Sequence, residues 1–208
     1  MKPMYTRTLV VSLLTGLLLA GCSGSNTSSA SKLDYTDPQS TGWRLVKDGS
    51  STPTRLVLSL VGPSGTMTRG VAFNLQAPAG VRWSTFWTGL PVEDTGVFEL
   101  KNSTPDPSLP ATAEDPILFD GGVMDGNVLT VGIFQKDRRY TAKDSGAPLL
   151  RIALELIPSS VVGPIPLTLK KAKVLPGDIG AYTDSQQDII TKTHLDTITV
   201  AVGSLHAS

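Results

Sequence analysis

Apolar and polar positions alternate along most of this chain with a period of two. In residues 55–60, Leu56, Leu58 and Leu60 share one face. Val71, Phe73, Leu75 and Ala77 alternate with Ala72, Asn74 and Gln76, and Leu150, Ile152, Leu154 and Leu156 lie opposite Arg151 and Glu155. A period of two places these apolar sets on one side of a strand. Residues 128–134 are almost wholly apolar, which predicts a central strand buried on both faces. Phe98 and Leu100 mark a short strand, and residues 194–202 close the series with Ile198, Val200 and Val202 on one face. Between 166 and 174 the parity changes, from Leu167 and Leu169 to Ala172 and Val174, as a bulge would require.

Gly-Pro, Pro-Ala-Gly and Gly-Gly punctuation separates these runs, at 62–63, 78–80, 121–122 and 163–164. No stretch of ten residues carries a helical stripe; a single helical turn is expected around 82–87. Residues 102–116, with Pro105, Pro107, Pro110 and Pro116, read as one long loop. The pattern predicts an all-β, antiparallel two-sheet sandwich of about nine strands.

The N-terminus has a different character. Lys2 and Arg7 precede an apolar run over 9–19, which is too short for a stable membrane span. Leu19, Ala20, Gly21 and Cys22 follow, and Cys22 is the one cysteine in the sequence. This stretch resembles the lipobox of bacterial lipoproteins. The resemblance implies a signal peptide over 1–21 and a lipidated (diacylated, palmitate-type) Cys22 as the mature N-terminus, anchored in a membrane of the cell envelope. Ser23 after the cysteine implies the outer membrane if the source is Gram-negative. Residues 22–41, rich in Ser and Thr, are expected to be a flexible tether spanning roughly 25 Å, with the folded domain over 42–208.

Charge excludes one class of partner. Of 18 basic residues, Lys2 and Arg7 lie in the signal segment, while all 18 acids lie beyond it, leaving a formal charge of −2. Nucleic-acid binding needs a basic surface, so no nucleic-acid partner is expected. With Cys22 acylated there is no thiol for a disulfide or a cysteine metal site.

The order of the strand motifs resembles the cohesin-like domains of bacteria. The segments carrying it are Gly-Val-Ala-Phe-Asn-Leu at 70–75, the apolar run at 126–133, Pro-Leu-Leu-Arg-Ile-Ala-Leu-Glu-Leu at 148–156, and Ile-Pro-Leu-Thr-Leu-Lys-Lys-Ala-Lys-Val-Leu at 165–175. The resemblance covers about residues 54–202. It implies a jelly-roll sandwich, related in shape to carbohydrate-binding modules, and a cofactor-free protein-binding role. The chain departs from scaffold proteins of that family in having one such domain and no dockerin.

Candidate chemistry is sparse. His194 and His206 stand alone, without the convergent ligands that zinc needs, so no metal is expected. Gly-Pro-Ser-Gly at 62–65 reads as a turn rather than a nucleophile elbow. Asp120, Asp125 and Asn127 offer oxygen donors, but without calcium-loop spacing they read as hairpin chemistry. The adjacent acids Glu93 and Asp94, and Glu114 and Asp115, read as solvated loop charge rather than a glycosidase pair.

Trp83, Phe86 and Trp87 are the candidate ligand-binding residues. Exposed and coplanar, they would stack on sugar rings; buried, they would fill a sandwich edge. The expected function is therefore a membrane-anchored, non-catalytic module binding an envelope protein. The alternatives are a carbohydrate-binding module using Trp83, Phe86 and Trp87 on a polysaccharide, and a hydrolase whose site assembles only in three dimensions.

Overall fold

The computed structural model describes residues 28–77, 79–98, 127–135, 141–177 and 195–208, together with the backbone of 118–125. Among them the chain forms fourteen strands and no helix. In order these are β1 (Leu33–Thr36), β2 (Arg44–Lys47), β3 (Arg55–Val61), β4 (Met67–Gln76), β5 (Val81–Ser84), β6 (Val92–Asp94) and β7 (Leu118–Asp125). They continue with β8 (Val128–Gln135), β9 (Lys143–Asp144), β10 (Leu150–Leu156), β11 (Gly163–Ile165), β12 (Thr168–Pro176), β13 (Asp196–Thr197) and β14 (Ser204–Ala207). The all-β antiparallel class agrees with the hydrophobic pattern. The count exceeds nine because eight of the strands are only two to four residues long, too short to show a period.

Two larger sheets form the sandwich. One has the order β2-β3-β10-β5, with β6 also on β10; the other has the order β13-β12-β4-β8-β7, with β9 on β4. Their apolar faces meet in one core cluster. Leu45, Leu56, Leu58, Leu60, Ile152 and Leu154 enter it from the first sheet, and Val71, Phe73, Leu75, Leu129, Val131 and Ile133 from the second. Each fully buried aliphatic side chain stabilises by roughly 1.5–3 kcal/mol relative to exposure.

Several expectations need correction. β8 buries Leu129, Val131 and Ile133, but Thr130 on its other face is exposed and Phe134 only partly buried. The second sheet is an outer layer, so one face suffices. Phe98 is fully buried in the core yet lies in a bend; Leu100 falls outside the described residues. In place of a helical turn, residues 81–84 form β5. The parity change in β12 is a bulge, with the register shifting between Leu169 and Lys171.

The C-terminal run is not one strand. After β13 the chain crosses between sheets: Ile198 N–H donates to Ala172 O at 3.1 Å, then Ala201 N–H to Trp43 O at 2.8 Å. Ile198, Val200 and Val202 still pack against the core. His206 belongs to the final strand, β14.

The expected tether over 22–41 is also too long. Residues 33–36 form β1, paired to β14 in a third sheet of order β1-β14-β11. Leu33 and Tyr35 point into the core while Asp34 and Thr36 face outward, so this short segment has the alternation of a strand. The Ser-rich flank masks it in the sequence. Cys22 lies outside the described residues.

Candidate functional site

β5 and β6 pair with the same edge of β10 in one continuous register. Val81 to Ser84 lie opposite Leu156 to Ala153, and Val92 to Asp94 opposite Ile152 to Leu150. They are one edge strand, interrupted by a seven-residue excursion over 85–91 that carries Phe86 and Trp87.

The sequence closes this loop on itself. Phe86 N–H donates to Leu90 O at 2.8 Å, and Gly89 N–H donates to Phe86 O at 2.9 Å. Gly89 has φ +78°, a left-handed conformation that a side chain would strain. Thr88 Oγ1 accepts from Leu90 N–H at 3.3 Å, and Pro91 leads back into the sheet edge.

Charged side chains on the outer face of the first sheet hold the loop down. The Arg55 guanidinium carbon lies 4.9 Å from the Phe86 ring centroid and that of Arg151 5.9 Å away, both within cation–π range. Arg55 Nε donates to Ser84 Oγ at 3.1 Å and its Nη2 to Thr85 O at 3.4 Å. Arg151 in turn pairs with Glu93, and its Nη1 is 3.9 Å from Asp48 Oδ1. Burial disfavours the Asp48 carboxylate. Hydrogen bonds from Ser50 Oγ and N–H and from Ser59 Oγ, with the Arg151 charge, nonetheless hold its pKa below the usual value. Arg82 and Glu155 extend the charged face, 3.1 Å apart.

The three candidate aromatics therefore have three different positions. Trp83 is 8% exposed and belongs to the core, its indole Nε1 donating to Asn127 O at 3.3 Å. Phe86 is partly buried and lies against the two arginines. Trp87 is 89% exposed. They do not form a coplanar sugar platform, because successive strand residues point to opposite faces and the chain leaves the strand at 85.

The other candidates separate similarly. Glu93 is not solvated loop charge: it is on β6, partly buried, and paired with Arg151. Asp94 ends the same strand, opposite Leu150. Asp120 and Asp125 lie on β7, Asp120 in mid-strand opposite Ile133 rather than in a turn, and Asp125 at its end opposite Val128. His206 on β14 is exposed, opposite Asp34. The Ser208 hydroxyl donates to Asp34 Oδ2 at 2.7 Å rather than to an imidazole, so these three side chains do not make a nucleophile–base pair. His194, Glu114 and Asp115 lie outside the described residues. Among the described residues, no three His, Cys, Asp or Glu side chains gather to hold a metal ion.

Sequence reasoning missed the partners of Phe86. The signal was present: Arg55 and Ser59 on β3, and Arg151 and Glu155 on β10, occupy the positions alternating with the core leucines.

No family model matches the chain, and no curated protein matches it. Among solved structures it is similar to a non-cellulosomal cohesin from the archaeon Archaeoglobus fulgidus, at 12% identity and TM-score 0.41, over 83% of this chain and 87% of that one. A cohesin module from a Clostridium perfringens family 33 glycoside hydrolase aligns at 14% identity and TM-score 0.37, over 84% and 98%. The seventh ScaB type I cohesin from Pseudobacteroides cellulosolvens aligns at 11% identity and TM-score 0.41, over 78% and 87%.

Proposed function

We propose that the chain is an envelope lipoprotein, anchored through acyl groups on Cys22, whose sandwich is a non-catalytic module binding a protein partner through the 85–91 loop. Trp87 is the observation that carries the reading. A tryptophan with 89% of its surface exposed is costly to leave in water. Here it sits on a loop already closed by backbone bonds and clamped through Phe86, so little ordering remains to be done on binding. Tryptophan and arginine are the residues that most often dominate binding energy at protein interfaces, and both are present here. The charged outer face beside the loop, with Asp48, Arg82, Glu93, Arg151 and Glu155, would supply register and selectivity. For a Gram-negative source, Ser23 after the anchor makes the outer membrane the proposed location.

A second reading keeps Trp87 but changes the ligand, since a single exposed indole can also stack on a sugar ring. Wild-type and Trp87→Ala protein, extracted in detergent from the envelope, separate the two. A protein that co-purifies with wild type and is lost from Trp87→Ala supports the interaction reading. Recovery of polysaccharide alone, lost in the same variant, supports the sugar reading and overturns the first.

A further inference from the structure

A second apolar surface lies at the turn between β10 and β11. Ile157 is 38% exposed, Val161 64% and Val162 40%, three of the six large exposed hydrophobic side chains among the described residues. The turn is firmly built. Ser160 N–H donates to Ile157 O at 3.1 Å, and the single Ser160 hydroxyl proton is shared between Ile157 O at 2.6 Å and Gly80 O at 2.9 Å. Pro158 precedes Ser159, which has φ +70°. A proline followed by a left-handed residue is type II turn chemistry, at a position where glycine would be less strained.

The N-terminal segment enters the fold at this turn. Ser29 forms a bridge with Val161, and Ala30 N–H donates to Ser160 O at 2.7 Å. Six residue-to-residue steps lead from Cys22 to Ser28, and no conformation lets six steps span more than about 22 Å. An acyl anchor on Cys22 therefore keeps the β10–β11 turn within that distance of the bilayer. The chemistry of the surface fits such a position. Residues 157–166 carry no charged side chain, and neither do residues 23–31. Bringing residues 157–166 into the headgroup layer would remove three aliphatic side chains from water without desolvating a charged side chain of that segment, while the neighbouring Arg82–Glu155 pair stays at its rim.

We propose that Ile157, Val161 and Val162 form a membrane-contact tip that rests in the headgroup region and fixes how the sandwich stands on the bilayer. The tip would turn a tether into an orienting mount, with Trp87 carried at a set height. The inference rests on the lipid-anchor reading of Cys22 and extends it.

Its test uses the full chain, produced in a host that processes lipoproteins. With Cys22 acylated, Val161→Cys supplies the sole free thiol, and Ser50→Cys supplies a reference thiol in an exposed turn. Each is labelled with a polarity-sensitive fluorophore and reconstituted into phosphatidylethanolamine–phosphatidylglycerol vesicles. The label at 161 should be blue-shifted, quenched at least threefold more by nitroxide-labelled lipid than the label at 50, and protected from aqueous iodide. Equal quenching at the two positions, in protein that floats with the vesicles, would overturn the contact while leaving the anchor intact. Protein that does not float would overturn the anchor reading and this proposal together. Adding Val162→Asp to the labelled Val161→Cys chain should return the label to water without lowering the melting temperature; an unchanged emission would also overturn the proposal.

Discussion

The Tyr35 hydroxyl accepts a hydrogen bond from Gly203 N–H at 2.7 Å and donates one to Leu45 O at 3.0 Å. One side chain of β1 thus ties together the entry of the fold, β2 and the approach to β14. Both partners are backbone groups, and Tyr35 is buried, so removing the hydroxyl leaves buried polar groups unpaired. Tyr35→Phe should lower stability by about 1–3 kcal/mol at neutral pH, read by urea denaturation. Burial also raises the Tyr35 pKa to about 12, only partly offset by the bond from Gly203. The folded state therefore holds this proton more tightly than the unfolded chain does, and its contribution is lost as pH rises from the unfolded value of about 10. The gap between wild type and Tyr35→Phe should narrow toward pH 12.

Gly203 is fixed by the same contact. A Cβ there would run into the Thr36 carbonyl oxygen and lie 2.7 Å from Tyr35 Cζ. Thr36 is held in the β1–β14 ladder and cannot retreat freely. Gly203→Ala should destabilise by about 1–3 kcal/mol or more, measured by thermal melting. A neutral result would mean that the N-terminal strand is not docked as described.

The core strands were legible from the period of two because their leucine faces are long enough to repeat. β1 was not, since four residues inside a Ser- and Thr-rich stretch offer only Leu33 and Tyr35 as signal. The 85–91 excursion was hidden for a related reason. The register that reveals it runs through β10, some seventy residues away, and pairing across that distance leaves no local trace. Of the candidate site, the aromatic cluster at 83–87 was visible. Its division into a core residue, a clamped residue and a free one was not, because that division depends on where the chain leaves the sheet.

Asp48 links the outer face to acid stability. Its pKa is held down in the fold, so its stabilising contribution is present above the unfolded value of about 4 and is lost as pH falls through the folded value. Asp48→Asn should be less stable than wild type at pH 7, and the two should converge below about pH 4. Parallel pH profiles, read by chemical denaturation, would show that Asp48 makes no charge-dependent contribution.

The two neighbouring tryptophans should behave oppositely on truncation. Trp83 fills the core, so Trp83→Ala should cost about 3–5 kcal/mol. Trp87 touches little of its own fold, so Trp87→Ala should change stability by no more than about 0.5 kcal/mol. Circular dichroism melts of both variants check the contrast; a large loss in Trp87→Ala would place its ring in the packing.

The most direct measurement is the equilibrium affinity of the captured envelope partner for wild-type and Trp87→Ala protein of equal melting temperature. Binding should weaken by at least about 30-fold, the effect of losing a residue worth about 2 kcal/mol at an interface. Equal affinity in the two proteins would contradict this and would remove the 85–91 loop from the binding site.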